Sequence, residues 1–241
     1  MTAETTTITK ASEAEAIEQA ARMLDGAQPE EILRWGFERY GDGVTLACSF
    51  GGTSGMVLMD MVQRLHPSAE VFYLDTDFLF TETIDTMQAS RKFWPASNIK
   101  AYRSDVTLDQ QAREHGEALW ERDPDLCCEI RKVEPNRRAL QGKLAWVAGL
   151  RRDQSPDRAD TPAVQWDEKF GLVKLNPLIN WSEKQVWAYI VQHRLPYNPL
   201  HDRGYPSIGC TNCTRAVQPG EDPRAGRWSG QDKTECGLHT V

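Results

Sequence analysis

No stretch of this chain is apolar for long enough to cross a bilayer, and its opening residues, MTAETTTITK, hold no hydrophobic segment of the secretory kind. A spanning helix needs about 20 successive apolar residues, and a signal peptide needs an apolar core of its own. The expectation is a cytoplasmic protein with no membrane partner. Excess positive charge is missing as well: 28 Lys and Arg stand against 35 Asp and Glu, a net charge of −7. That balance argues against non-specific nucleic-acid binding, which rests on basic surface. Neither the dinucleotide fingerprint G-x-G-x-x-G nor the P-loop pattern occurs, so neither of those phosphate cradles is expected. No internal repeat or low-complexity tract stands out. Cysteine is scarce, six in 241 residues. In a cytoplasmic chain, clustered cysteines bind metal or do redox chemistry more often than they form structural disulfides.

What is present is an ordinary globular composition, 40% hydrophobic and 26% charged. The length suits one large α/β domain with a C-terminal appendage. Residues 11–25 and 29–40 have helical periodicity, the first cut off by Gly26 and the second opened by Pro29. From residue 44, short apolar runs alternate with helical patterns. Strands are expected at 44–48, 70–75, 99–102, 144–148 and 171–175. Helices are expected at 56–65, 82–93, 133–140 and, capped by Ser182, to about residue 193. Strands alternating with helices predict a parallel, doubly wound sheet. From Leu195 the pattern dissolves into Pro, Gly, Asn and charge. The expected organisation is N-terminal helices at 1–43, an α/β domain at 44–195, and at 196–241 a lobe pinned by a metal site and ending in a mobile tail.

Four of the six cysteines fall into two tight pairs, Cys127-Cys128 and Cys210-Thr-Asn-Cys213. Brought together by folding, they form a complete thiolate set for an iron–sulfur cluster or a zinc ion. Adjacent cysteines do not follow the usual Cys-x-x-Cys zinc geometry, so the spacing favours a cluster. Zinc, or Cys128 as a packed core thiol, stays open on spacing alone. Cys236 lies outside the set on a polar tail and is placed like a nucleophile; the plainer alternative is an incidental surface thiol. Cys48, in the apolar run Val44-Thr-Leu-Ala-Cys-Ser, reads as a buried strand residue. Arg131, Lys132, Arg137, Arg138, Arg151, Arg152, Arg158, Arg224 and Arg227 gather in the second half of the chain. Solvated helix faces account for Arg137 and Arg138. Arg224 and Arg227, amid Pro and Gly, point instead to an anion pocket.

The loop Ser49-Phe-Gly-Gly-Thr-Ser-Gly55 follows the first strand and leads into a helix. Open α/β sheets bind ligands beyond the carboxyl ends of their strands, and such a loop offers backbone N–H groups to an anion. On composition alone a purely structural turn is about as well served. The loop has company, however: Leu74-Asp75-Thr76, Gly149-Leu-Arg-Arg-Asp-Gln-Ser155, Asn176-Pro-Leu and Glu235-Cys-Gly-Leu-His239. With these motifs, which run from about Leu46 to His239, the chain resembles the adenylyl-sulfate and phosphoadenylyl-sulfate reductases of assimilatory sulfate reduction. The double cysteine pair matches the iron–sulfur branch.

The resemblance implies an adenine-nucleotide fold related to the ATP pyrophosphatases, with residues 44–195 as the nucleotide-binding domain. Those relatives carry Ser-Gly-Gly-x-Asp-Ser in the loop. Here Phe50 follows Ser49, and Ser54-Gly55 stands in place of Asp-Ser, which disfavours the ATP-activating branch. A 4Fe–4S cluster held by Cys127, Cys128, Cys210 and Cys213 is implied, with a structural and electrostatic role. Cys236 is implied to attack the substrate sulfur and carry it as an S-sulfonate. Thioredoxin or a glutaredoxin-like dithiol would then discharge it. The implied substrate contacts are Ser49, Gly51, Gly52 and Thr53 of the loop, with Lys132, Arg158, Arg224, Arg227 and His239; Arg151 and Arg152 are less certain and would equally brace the loop. The implied substrate is adenylyl sulfate, in cysteine biosynthesis, with its 3′-phosphorylated form as the alternative. An ATP-dependent tRNA-thiolating enzyme stands further off, for want of the Asp-Ser loop and a basic surface. Homo-oligomerisation is left open.

Overall fold

The computed structural model describes residues 8–233 and 235–239. Two helices, α1 (Lys10–Met23) and α2 (Pro29–Tyr40), come first. Thr9 caps α1 by accepting from Ser12 N, the service an N-cap hydroxyl gives the unpaired first turn. Then follow β1 (Val44–Ala47), α3 (Thr53–Leu65), β2 (Glu70–Asp75), α4 (Thr81–Phe93) and β3 (Asn98–Arg103). Three short helices, α5 (Leu108–His115), α6 (Leu119–Arg122) and α7 (Pro124–Cys128), lead into a π-helical turn at Glu129–Val133 and α8 (Glu134–Leu140). The rest of the domain is β4 (Ala145–Val147), β5 (Val164–Asp167), β6 (Leu172–Leu175) and α9 (Glu183–His193).

The strands form one sheet in the order β3-β2-β1-β4-β6-β5. Every pair is parallel except β5 with β6. From β1 the chain builds outward through β2 and β3, then returns to lay β4 on the other side. The winding therefore reverses between β1 and β4, which is where open sheets of this kind leave a crevice. Leu46, Val71, Val147, Val173 and Leu175 are no more than 1% exposed, as central parallel strands covered on both faces require. This is the doubly wound α/β sheet expected from the alternation.

Two differences from the expected elements matter for the site. The helix expected at 56–65 begins at Thr53, so the end of the glycine-rich loop is the first helical turn. Residues 164–167, with no strand expected, form β5 as an antiparallel edge. Asp167 Oδ1 accepts from Lys169 N and Phe170 N, 3.1 and 3.2 Å, and Gly171 supplies the φ of 71° that completes the turn into β6. Beyond α9, isolated bridges from Leu79 to Cys210 and from Thr214 to Arg227 tie the C-terminal segment to the domain and to itself. No helix among the described residues is long and apolar enough to cross a membrane.

Candidate active site

The loop after β1 is fastened from several sides. Ser49 Oγ accepts from Gly51 N and Gly52 N at 3.4 Å each. Asn198 Nδ2 donates to Phe50 O at 3.4 Å, and His201 Nε2 stands 2.9 Å from Gly51 O. Phe50 has φ 55°, a left-handed conformation that costs a non-glycine residue about 1–2 kcal/mol. Its ring is buried edge-on to Tyr73 at 5.7 Å, and that burial holds the strain. Close approach fixes two glycines. A Cβ on Gly55 would lie 3.1 Å from Cys48 Sγ, and one on Gly149 would lie 3.0 Å from Ser54 Cβ. Cys48 is buried as expected, and burial pushes its thiol up to about 12.

A cavity of about 360 Å³ opens at the carboxyl ends of β1, β2 and β4. The structure brings together on its wall every residue expected to bind or attack substrate. Ser49, Gly51, Gly52, Thr53, Lys132, Arg158, Arg224, Arg227, Cys236 and His239 all line it. Arg151 and Arg152 act as braces. Arg151 Nη1 donates to Ser54 Oγ at 2.6 Å, and Arg152 Nε donates to Thr161 O at 3.1 Å.

Sequence reasoning placed Arg158, Arg227 and His239 on this wall but missed Asn136, Trp146 and Trp228. Asn136 Nδ2, Trp146 Nε1, Arg158 Nε, Arg227 Nε and Trp228 Nε1 are buried there without a hydrogen-bond partner among the described residues, as is His239 Nδ1. An unpaired buried donor costs about 1–3 kcal/mol. Five such donors around one cavity suit a ligand rich in acceptor oxygens. Only position hinted at two of them: Asn136 lies four residues beyond Lys132, and Trp228 adjoins Arg227, whose guanidinium sits 4.3 Å from the indole ring centroid.

The tail, expected to be mobile, is docked in this structure. Glu235 Oε1 lies 2.5 Å from Arg158 Nη2 and 3.3 Å from Arg224 Nη2. Lys169 Nζ donates to Gly237 O at 2.7 Å. The His239 ring stacks on Trp146 with centroids 5.6 Å apart and planes at 16°. Burial first, then the charges of Lys174, Arg158 and Arg224, hold the His239 imidazole well below its usual range, so the ring is neutral. Lys174 supports Trp146 from the sheet: its Nζ is 4.9 Å from the indole centroid and 3.7 Å from Asp167 Oδ2. These contacts hold Cys236, a half-buried free thiol, at the cavity wall.

A second, smaller cavity is lined by Cys127, Cys128, Cys210 and Cys213 together with Arg131 and Lys132. Folding thus gathers the two cysteine pairs, which lie over 80 residues apart in the chain. Burial, with the neighbouring thiols, pushes Cys127 up to about 12, and burial likewise drives Cys128 to about 11 and Cys213 upward. Thiols crowded and desolvated in this way do not ionise readily by themselves; a bound metal centre supplies the cation that makes thiolates of them. Arg131 is 1% exposed, held by Asp77 at 2.9 Å and Gln111 at 2.7 Å, and its Nη2 has no partner among the described residues. Four soft donors and an orphaned guanidinium N–H on one wall fit a sulfur-rich centre. Among the described residues, no three His, Cys, Asp or Glu side chains are grouped to hold one metal ion.

The cavities share Lys132 and Cys210 as a common wall. The π-helical turn after α7 buries three consecutive residues, two of them the cationic Arg131 and Lys132; such turns recur at functional sites. Burial pushes the Lys132 ammonium toward neutrality, but Cys210, Cys236 and Cys128, as thiolates, outweigh it and raise its pKa. A charged lysine therefore stands between the four cysteines and the tail thiol.

A crevice at the switch point of a parallel sheet, walled by donors and faced by a free thiol, defines an α/β enzyme that handles an oxyanionic nucleotide. Residues 43–216 match the family described as phosphoadenosine phosphosulfate reductase domain, and the chain belongs to that family. The adenosine 5′-phosphosulfate reductase of Halalkalibacterium halodurans is 46% identical over 223 residues, 92% of this chain and 96% of the relative. That of Staphylococcus haemolyticus is 51% identical over 88% of this chain and 86% of its own. Among solved structures, a phosphoadenylyl-sulfate (PAPS) reductase from Candida auris, in a phosphate complex, aligns with TM-score 0.73 and 31% identity over 83% of this chain and 97% of its own. An FMN adenylyltransferase from Candida glabrata, TM-score 0.58 and 14% identity over 92% of this chain and 77% of its own, shares the fold alone.

Proposed function

We propose that this chain reduces adenylyl sulfate to sulfite and AMP, in assimilatory sulfate reduction, with electrons from a thioredoxin-type dithiol. One observation carries the reading: the Cys236 thiol and a wall of arginines, lysine and unpaired N–H donors face a single cavity at the sheet's switch point. Relatives named adenosine 5′-phosphosulfate reductase, 46% and 51% identical, support the substrate.

In the proposed chemistry the Cys236 thiolate attacks the sulfur of the sulfate–phosphate anhydride. A sulfur–sulfur bond forms, the sulfur–oxygen bond to the phosphate breaks, and AMP leaves with the electron pair. Arg158, Arg224 and Arg227 hold the oxyanions through their guanidinium forks, and the loop Ser49, Gly51, Gly52 and Thr53 offers N–H groups and the start of α3. Lys132 neutralises charge beside the sulfur, and His239 docks the tail on Trp146. A dithiol thiolate then attacks the Cys236 sulfur and expels sulfite. Its second thiol resolves the mixed disulfide and returns Cys236 as a thiol. Sulfur gains two electrons, and the carrier loses two.

Cys127, Cys128, Cys210 and Cys213 would hold a 4Fe–4S cluster, their donor chemistry and the unpartnered Arg131 Nη2 being what fits it. With one cysteine available to each iron, such a cluster would supply a fixed electrostatic environment when bound. The test is sulfite release from adenylyl sulfate and from its 3′-phosphate analogue, with thioredoxin supplied. A strong preference for adenylyl sulfate is expected. Turnover of the 3′-phosphorylated form alone would transfer the chain to the other branch, and release from neither would end the reading.

A further inference from the structure

Arg158 is 5% exposed, and among the described residues its guanidinium has one anionic partner, Glu235, one residue before the thiol. Burial lowers its pKa, and Glu235 pulls the other way. The same carboxylate oxygen reaches Arg224 at 3.3 Å. Both arginines line the cavity, and both are the groups proposed above to hold the substrate's oxyanions. A carboxylate and a sulfate or phosphate ask for the same fork. Two anions drawn to one guanidinium pair repel each other strongly in a desolvated site. The docked tail therefore uses a site that the substrate also needs.

We propose that Glu235 is an internal stand-in for the substrate's anionic group. With no nucleotide bound, its carboxylate anchors the tail on Arg158 and Arg224. An incoming oxyanion takes over both guanidiniums, and the tail passes from an anchor on its own carboxylate to the remaining contacts at Gly237 and His239. Glu235 thereby couples the position of Cys236 to the charge state of the cavity. It is a positioning residue, acting on the nucleophile through the tail and touching no reacting atom. The proposal rests on the function proposed above for the identity of the nucleotide, but not for the exchange of anions.

The experiment uses the holoenzyme and two probes. The first is the alkylation rate of Cys236 by iodoacetamide, read by mass spectrometry of its peptide, against inorganic sulfate with chloride at matched ionic strength. Sulfate should accelerate wild-type alkylation in a saturable way. Glu235→Gln, which keeps shape and removes charge, should be alkylated about tenfold faster than wild type without sulfate, as loss of a charge-assisted bond predicts, and should no longer respond to sulfate. Glu235→Asp, which keeps the charge, should respond. The second probe is AMP, whose affinity should rise several-fold in Glu235→Gln because its competitor is gone. A Glu235→Gln protein that still responds to sulfate like wild type, or that binds AMP no more tightly than wild type does, overturns the proposal. If wild type does not bind AMP at all, the nucleotide reading fails while the sulfate arm still decides the role of Glu235.

Discussion

The two cavities share a wall and differ in every property that decides what they hold. The larger one, at the strand ends, is lined by donors that lack partners among the described residues: Asn136, Trp146, Arg158, Arg227 and Trp228 each keep a buried N–H unpaired there. Such a site is costly when empty and gains when an oxyanion enters, which suits a ligand that comes and goes. The smaller one is lined by four thiols, and burial opposes the ionisation of Cys127, Cys128 and Cys213, Cys127 most clearly at about 12. It suits a centre that stays. Lys132, common to both, is where a charge held in one cavity would bear on a charge bound in the other.

That contrast breaks most sharply at the thiols themselves. Cys236→Ser should abolish sulfite release, by on the order of 10⁴-fold or more, as loss of a nucleophile does. The same variant should keep its iron and its brown colour, because Cys236 is not among the four cysteines that line the smaller cavity. In a single-turnover mix with labelled sulfonucleotide and no thioredoxin, wild type should take up one label and release one AMP per site. Label on the Cys236→Ser protein, at Cys48 for example, would sink the assignment; the buried Cys48, its thiol pushed up to about 12, should stay unlabelled. Conversely, Ser at Cys127, Cys128, Cys210 or Cys213 should bleach the protein. Stoichiometric zinc in colourless, anaerobically prepared wild type would reverse the reading of the smaller cavity.

A smaller effect is expected on the wall of the larger cavity. Arg227→Ala should raise the Michaelis constant about 10- to 100-fold, the range for one charge-assisted bond of about 1.5–3 kcal/mol. It should leave the iron content unchanged. An unaltered Michaelis constant and rate would remove Arg227 from the anion site.

How much of this was legible in the chain follows from where each signal lies. The alternation of apolar runs with helical patterns is local, so β1 to β4 and the doubly wound sheet could be read directly. The cysteine pairs and the Glu235–His239 motif are local too. β5 was not, because the alternation Val164-Gln-Trp-Asp167 is only four residues long, too short a period-2 signal to stand alone, and its partner β6 supplies the pairing. Trp146 gave no sign of a role, and Asn136 and Trp228 only their nearness to Lys132 and Arg227, since an unpaired N–H exists only once the packing around it does. The docking of the tail was hidden for the same reason. Glu235 was visible as part of a motif, but its two arginines are distant or separated in sequence, and only the fold brings them to one oxygen.

The least expected buried group, Lys174, gives the finest test of how the tail is held. It lies in the centre of β6, 1% exposed, beneath Trp146 and beside Asp167. Burial, opposed by Asp167, lowers its pKa from 10.5 to about 8. Below pH 8 both folded and unfolded chains carry this proton, so the group adds no pH dependence. Between pH 8 and 10.5 the unfolded chain still binds a proton that the folded chain has released. Stability from this group must therefore rise with pH across that window. Lys174→Met should lose that rise. The difference between the two proteins' melting temperatures should then drift by a few °C between pH 8 and 10, whatever the variant's offset at neutral pH. The variant should also loosen His239, through the indole that Lys174 supports, and so raise the alkylation rate of Cys236. Parallel melting curves across this range would show that Lys174 titrates as an ordinary lysine. Unchanged alkylation would show that Trp146 holds the tail without it.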